Sequence, residues 1–177
     1  MSAHPDEDAA TGWTAPAEDG EAAGPVGRRF PRATGTTLAG QRLCLPDDLA
    51  GRPTALLVAY QRVTQEDVDR WSTYLEHAAP ELTVYEVPTI PALAYRPWSG
   101  WIDAGMRKGV PEELWPRVVT LYEEGGQVRD FLRSPDKYSA DVVLLDAQGV
   151  VRWFDASGFD AHKGAELVAT LRELQGD

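Results

Sequence analysis

The chain of 177 residues carries 17 Lys and Arg against 28 Asp and Glu, which gives a formal net charge of −11. This length suits one domain with a sizeable core, since domains of about 100 to 200 residues are typical. The acidic balance argues against nucleic-acid binding, which needs a basic surface. No apolar run approaches the about 18 residues of a membrane span, so we expect neither nucleic acid nor a membrane span.

The charge is concentrated at the start of the chain. Residues 1–27 hold six acidic side chains and no Lys or Arg, and their large apolar side chains are little more than Trp13 and Val26. So few apolar groups cannot offset the entropy lost on ordering the segment. We therefore expect a disordered acidic tail over residues 1–27 and one folded domain over 28–177. A role of the tail in binding a partner, with Trp13 as its anchor, stays open.

A single cysteine, Cys44, limits the chemistry of the chain. It excludes an internal disulfide, a Cys-x-x-Cys redox pair and an all-cysteine zinc site. The first 25 residues are acidic and rich in Ala, Gly and Pro, whereas a signal peptide begins with positive charge and continues with an apolar segment. We therefore expect a cytoplasmic protein.

The first half of the chain predicts a parallel β-α-β unit preceded by a hairpin. Residues 35–46 are typical of a short hairpin at a sheet edge, and the continuously apolar run Thr54–Tyr60 predicts a strand buried on both faces. Thr64 with Asp67 three residues later has the form of a helix N-terminal cap, and apolar residues follow at helical spacing. Leu82–Val87 is the next strand, and its connection to the first should be right-handed.

The second half predicts an irregular insertion followed by further regular structure. Pro and Gly interrupt residues 88–110. The predicted elements after them are a helix over Glu112–Glu124 that ends at Gly125-Gly126, a hairpin over Asp141–Phe154, and a last helix that begins at Asp160. This order predicts a mixed sheet with helices on both faces.

Two stretches, Leu49–Thr54 and Val142–Trp153, resemble the thioredoxin-like fold in its peroxiredoxin-type form. A further set of residues is similar to the mitochondrial assembly factor for the membrane sector of ATP synthase: Gly105–Pro111, Leu145-Asp146, Val151-Arg152-Trp153, Gly158 and Glu166. The resemblance covers roughly residues 30–175. It implies a mixed sheet flanked by helices, an N-terminal hairpin, an insertion after the second parallel strand, and a chaperone-like role in subunit assembly. The chain departs from that family in having no basic, amphipathic presequence.

The resemblance also says where redox chemistry would lie. Thioredoxins and peroxiredoxins react through a thiolate at the start of the helix after the central strand, where the helix dipole favours negative charge. In this chain the place is taken by Gln61–Asp67, which contains no sulfur. We therefore expect no catalytic residue at this position, and no metal or cofactor.

Cys44 offers an alternative. Strand geometry puts it on the same face as Arg42, and a nearby guanidinium lowers a thiol pKa. On this hypothesis Cys44 is the one reactive sulfur of a thiol-dependent peroxidase or reductase that uses an external thiol. The contrasting interpretation is a small, partly buried side chain in a strand.

Aromatic residues beside arginine supply the remaining signal. Trp98 and Trp101 lie near Arg107 in the insertion, and Trp and Arg carry much of the binding energy at protein interfaces. The contrasting interpretation is that the two indoles close the core beneath the insertion, and a third is that they line a small-molecule pocket. Ligands of open α/β sheets bind at the carboxyl ends of the parallel strands. The candidate binding residues are therefore Tyr60, Gln61, Arg62, Gln65, Trp98, Trp101 and Arg107. The leading hypothesis is a redox-inactive thioredoxin-fold protein that binds another protein and assists its assembly.

Overall fold

The predicted central strand lies inside a mixed sheet. The computed structural model describes residues 24–90, 104–135 and 138–176. Its strands are β1 (Ala33–Thr37), β2 (Arg42–Leu45), β3 (Thr54–Ala59), β4 (Thr83–Pro88), β5 (Val119–Thr120), β6 (Asp141–Leu145) and β7 (Val151–Asp155). Every side chain of β3 from Thr54 to Val58 is buried, as a continuously apolar run predicts for an inner strand.

The strands form two linked sheets. β4 pairs with β3 in parallel, whereas β6 pairs with β3 and with β7 in antiparallel fashion, which gives the order β4-β3-β6-β7. The N-terminal hairpin of β1 and β2 joins β5 in a second sheet of order β2-β1-β5. Parallel bridges from Glu86 to Val118 and from Thr89 to Leu121 connect β4 with the segment that carries β5. The predicted hairpins and the parallel unit are confirmed.

The α-helices that pack against the sheets are α1 (Gln65–Ala78), α2 (Gly125–Leu132) and α3 (Ala161–Gln175). Asp160 caps α3, as predicted, because its carboxylate accepts from the backbone N–H of His162 at 2.8 Å. None of the helices within the described ranges has the length and apolar character needed to cross a bilayer.

The alternation of side chains along β3 divides the core into two parts. Leu57 faces Trp71 of α1 and Leu167 of α3, which cover one face of the sheet. Leu56 and Val58 face the other side, where α2 contributes Val128 and Leu132. α2 therefore lies across the face opposite α1.

The predicted helix over Glu112–Glu124 is wrong. The segment Glu112–Arg117 is a 3-10 helix, and the next residues leave it to form β5 against β1. Pro116 cannot donate a backbone hydrogen bond, so a regular helix does not continue through it. Gly125, predicted to end a helix, begins α2 instead: a Cβ on it would lie 2.9 Å from the Cβ of Thr89, so only glycine fits at this close approach.

Replacing each of two helical glycines by alanine should change the free energy of unfolding in opposite directions. A Cβ on Gly164 would lie 2.5 Å from Cε1 of Tyr74, between α3 and α1, so Gly164→Ala should destabilise the fold by about 1–3 kcal/mol through overpacking. Gly126 in α2 has nothing within 4 Å of that position, so Gly126→Ala should stabilise by about 0.5–1 kcal/mol. Urea unfolding followed by circular dichroism measures both, and a change of the same sign would contradict this packing.

Candidate functional site

The carboxyl end of β3 brings three segments of the chain together. β6 runs antiparallel to β3 with Val58 opposite Asp141, so β6 begins where β3 ends. β7 runs antiparallel to β6 and therefore finishes at the same end of the sheet. We call this end of the sheet the rim and define it by the described residues 60–67, 138–141 and 155–160.

Asp67, in the first turn of α1, connects all three rim segments. Its Oδ2 accepts from the backbone N–H of Ala140 at 2.9 Å, and its Oδ1 accepts from that of Phe159 at 2.7 Å. Hydrogen bonds to an ionised acceptor are roughly twice as strong as neutral ones, and these satisfy two backbone donors that would otherwise lack a partner in the protein.

Asp67 does not have the role that the sequence predicted. The expectation was a cap formed with Thr64, but Thr64 makes no side-chain capping hydrogen bond. The partners of Asp67 lie 73 and 92 residues further along the chain, so no local spacing could have revealed them.

Tyr60 is a partly buried residue of the rim. Its hydroxyl donates to Oδ2 of Asp141 at 2.6 Å, and the Ser134 hydroxyl donates to Oδ1 of the same carboxylate at 2.9 Å. Asp141 is fully buried. Burial, followed by the charge of Asp141 and the hydrogen bond to it, raises the pKa of Tyr60 above its ordinary value. Tyr60 thus holds a buried carboxylate in place, a role that the sequence did not reveal because Asp141 was predicted only as the start of a strand.

Gln61 and Arg62 are exposed on the rim, and their role in binding stays a prediction. Between Arg62 and the buried Thr64 lies Val63, whose surface is 60% exposed, and on the facing segment Tyr138 is 69% exposed. These two and Val26 are the exposed large apolar side chains among the described residues. Sequence reasoning did not single out Val63 or Tyr138, because each is an isolated apolar residue in a polar stretch.

Two other predicted binding residues make contacts within the fold. The Gln65 amide donates to Oδ1 of Asp69 at 2.9 Å and also bonds Glu86, whose pKa is raised by burial. Arg107 donates from Nε to the backbone carbonyl of Leu38 at 2.7 Å, and its guanidinium lies 5.6 Å from the centre of the Trp115 ring. Arg107 therefore fastens its segment to the end of β1.

The predicted pair Trp98 and Trp101 lies outside the described residues. The small-molecule pocket that these indoles could line therefore stays a prediction.

Cys44 lies in β2, at the edge of the second sheet, and is half-buried. Its Sγ is 3.8 Å from Nη2 of Arg32, a guanidinium that the sequence did not place near this sulfur. The backbone N–H of Cys44 donates to Oδ2 of Asp48 at 2.6 Å. These partners come from the N-terminal part of the fold and not from α1.

Carboxylates offset the positive charge around Cys44. Arg32 pairs through Nε with Oδ2 of Asp47 at 2.9 Å, and Arg29 pairs with Oδ1 of the same residue at 2.6 Å. The hydrogen bond from Arg29 holds the pKa of Asp47 below its ordinary value. Arg29 and Arg32 both pair with Asp47, and the Asp48 carboxylate also lies beside Cys44, so negative charges accompany the positive charge near the sulfur.

Metal-ligating side chains do not cluster in the described part of the chain. Within 24–90, 104–135 and 138–176, no three His, Cys, Asp or Glu side chains lie close enough to hold an ion.

Comparison with known proteins gives the fold. No protein-family profile and no curated sequence matches the chain. Among solved structures, a protein of Aquifex aeolicus VF5 proposed to act in electron transport is 16% identical, with a TM-score of 0.59, and the match covers 86% of this chain and 99% of that one. Yeast Sco1 with copper bound is 12% identical, with a TM-score of 0.55 and coverage of 82% and 92%.

A third similar structure is BsSco, a member of the Sco family of cytochrome c oxidase assembly proteins in which a disulfide switch is described. It is 9% identical, with a TM-score of 0.55, and the match covers 84% of this chain and 94% of that one. At such identities these likenesses establish architecture alone. The chain has a thioredoxin-like mixed α/β fold, as the sequence predicted.

Proposed function

We propose that this protein binds another protein at the rim and assists its assembly, without thiol chemistry at that place. The observation that carries the proposal is the exposure of Val63 and Tyr138 on facing rim segments, 60% and 69%. They flank the start of α1, the position at which thioredoxins and peroxiredoxins carry their thiolate. Here that position has no sulfur, since Gln61–Asp67 contains no cysteine.

The composition of the rim supports a protein as the ligand. Single exposed apolar side chains are normal on a protein surface. Here two lie on rim segments that the hydrogen bond from Ala140 to Asp67 joins, together with the exposed polar groups of Gln61 and Arg62. Exposed apolar contacts with arginine nearby are typical of protein interfaces.

The anchoring of the rim supports the same proposal. Asp67 fixes residue 140 and residue 159 to the first turn of α1, so the two apolar contacts sit on segments held in one arrangement. A surface that is already ordered loses less conformational entropy when a partner binds, and more of the contact energy then appears as affinity.

The likenesses are consistent with a role in assembly. The sequence resembles an assembly factor family, and BsSco is described as belonging to a family of assembly proteins. At 9% identity that description stays with BsSco, and for this chain it supports only a proposal. The cytoplasmic location stays a prediction from the sequence.

A second candidate function is that of a thiol-dependent peroxidase or reductase. The approach of Arg32 to the Cys44 sulfur, 3.8 Å, favours it. Against it stand the ion pairs that engage Arg29 and Arg32 with Asp47, and the position of Cys44 away from the rim. We therefore rank rim binding first.

Charge on the apolar rim residues should abolish partner binding. With the tagged full-length protein in native extract, Val63→Asp and Tyr138→Asp should each lower recovery of the cross-linked partner at least about tenfold, because an unpaired carboxylate would be buried in the contact. Val26→Asp is the matched control, since Val26 is 53% exposed and lies near the described N-terminus. Quantitative mass spectrometry measures recovery, and equal recovery with all three variants would disprove the rim assignment.

Removing the sulfur should leave this binding intact. Cys44→Ser should recover the same partner to within about twofold. The wild-type thiol should react with hydrogen peroxide at the rate of an unactivated thiol, since negative charges accompany the positive charge near it. Thiol titration against time measures the rate. Rapid loss of one thiol, absent in Cys44→Ser, together with loss of partner recovery, would favour the enzyme hypothesis instead.

A further inference from the structure

We propose that the partner places a basic, partly apolar peptide segment in a groove that begins at the rim and runs along α1. We call this depression the α1 groove. The inference rests on the proposed function, because it names the chemistry of the partner that binds at the rim.

The α1 groove is continuous with the rim. Within the described residues it is an open depression with a volume of about 670 Å³. Two of its lining residues, Glu66 and Phe159, belong to the rim, and the others belong to α1 as far as Ala78. The backbone N–H of Phe159 donates to Oδ1 of Asp67 at 2.7 Å, so a hydrogen bond of the rim also fixes this end of the groove. A partner at the rim can therefore extend into the groove without a break in the contact.

Aromatic rings form the apolar wall of the α1 groove. The ring centres of Tyr74 and Phe159 are 5.6 Å apart, and both side chains are half-buried. Phe159 also packs edge-on against the fully buried Trp71 at 5.2 Å, and Tyr74 lies against Gly164 of α3. The rings are therefore held in place before a ligand arrives. The face of an aromatic ring attracts a guanidinium or ammonium group.

The charged side chains of the α1 groove leave an excess of negative charge. Its lining holds two carboxylates, Glu66 and Asp69, and one guanidinium, that of Arg70. Arg70 pairs with Glu66, one helical turn away. Asp69 forms no ion pair with any residue that the structure describes, and its Oδ1 accepts from the neutral amide of Gln65 at 2.9 Å. The Asp69 carboxylate therefore favours a cation in the groove.

The imidazole of His77, which also lines the groove, is engaged within its own helix. Its Nδ1 donates to the backbone carbonyl of Thr73 at 2.7 Å. The nitrogen that makes this contact does not face a ligand. Asp69 is therefore the side chain of the lining on which charge recognition depends.

The shape and charge of the α1 groove favour a peptide segment as its occupant. A guanidinium or ammonium group can lie against the rings and pair with Asp69, while neighbouring residues place aliphatic groups on the apolar wall. An open groove encloses only part of a small molecule, whereas small-molecule sites bury about 70–90% of their ligand. A second copy carries the same net charge of −11 and is repelled, but a basic segment is attracted and associates faster.

The first test measures how tightly the full-length protein binds a basic peptide. Fluorescence anisotropy follows a fluorescein-labelled nonapeptide in which Arg and Lys alternate with Leu. The wild type should bind it at least about tenfold more tightly than the same peptide with Gln at every basic position. Asp69→Lys should weaken binding at least about fivefold, because it reverses the unpaired charge of the groove.

Asp130→Lys is the matched control for Asp69→Lys. It makes the same exchange at an exposed position of α2, which covers the opposite face of the sheet. The net charge of the chain changes equally in both variants, so only a local effect can separate them. We expect Asp130→Lys to change peptide binding by less than about twofold.

The aromatic wall has a matched pair of its own. Phe159→Leu keeps an apolar side chain but removes the ring, and should weaken binding of the basic peptide about two- to fivefold. Phe131→Leu is the control, because Phe131 is half-buried like Phe159 but lies on α2. Circular dichroism checks that both variants remain folded. Equal affinity in the two variants would show that the rings of the groove do not contact the cation.

The outcomes separate the alternative occupants. Equal weakening by Asp69→Lys and Asp130→Lys would overturn the groove in favour of net charge alone. Binding of spermine as tight as that of the peptide would overturn the choice of a peptide segment. A wild-type dimer in sedimentation velocity that Asp69→Lys abolishes would assign the groove to a second copy.

Partner recovery from native extract distinguishes this inference from the proposed function. Asp69→Lys should lower the recovery of the cross-linked partner, as Val63→Asp does. If Asp69→Lys changes neither peptide binding nor recovery while Val63→Asp still loses the partner, the inference fails and the proposed function stands. If both variants keep the partner, the proposed function fails and the inference fails with it.

Discussion

One carboxylate joins the three segments of the rim. Asp67 accepts backbone hydrogen bonds from Ala140 at 2.9 Å and Phe159 at 2.7 Å, which belong to the segments before β6 and after β7. Both segments are irregular, so neither has a strand partner to fix it at this point. Without Asp67 the start of α1 would face two loops that carry unsatisfied donors, at a cost of about 1–3 kcal/mol for each buried group left unpaired.

This anchor gives the start of α1 a structural role in hydrogen bonding. A thiolate at the helix start needs access and an electropositive setting. Here the Asp67 carboxylate, in the first turn of α1, bonds a backbone amide of the fold, while the Val63 side chain, just before the helix, is exposed. This arrangement suits the binding of a partner better than electron transfer. At the same end of the sheet, the hydroxyl of Tyr60 donates to the buried carboxylate of Asp141. On the proposed function, recognition at this end of the sheet depends on shape and charge.

The sequence predicts elements well where one local pattern is enough. The continuous apolar run of β3 and the cap at Asp160 depend on neighbouring residues, and both are confirmed. The prediction of a helix across Pro116 fails because the apolar spacing fits a helix, whereas proline lacks the backbone N–H that a regular helix requires. At the site, the rim edge follows from topology, but the role of Asp67 depends on partners 73 and 92 residues away, which no single-sequence pattern contains. The contact of Arg32 with the Cys44 sulfur likewise depends on strand pairing and not on a local pattern. Arg32 directly precedes β1, which pairs with β2, the strand of Cys44.

Amide hydrogen exchange on Asp67→Asn tests most directly the claim that this carboxylate fixes the rim. We expect protection of the Ala140 and Phe159 amides to fall at least about tenfold, which corresponds to about 1.4 kcal/mol, because a neutral amide oxygen cannot replace both charged acceptors. The amide of Leu144, inside β6, should change by less than about twofold. Unchanged protection at residues 140 and 159 would show that the rim holds its shape without Asp67 and would refute that claim.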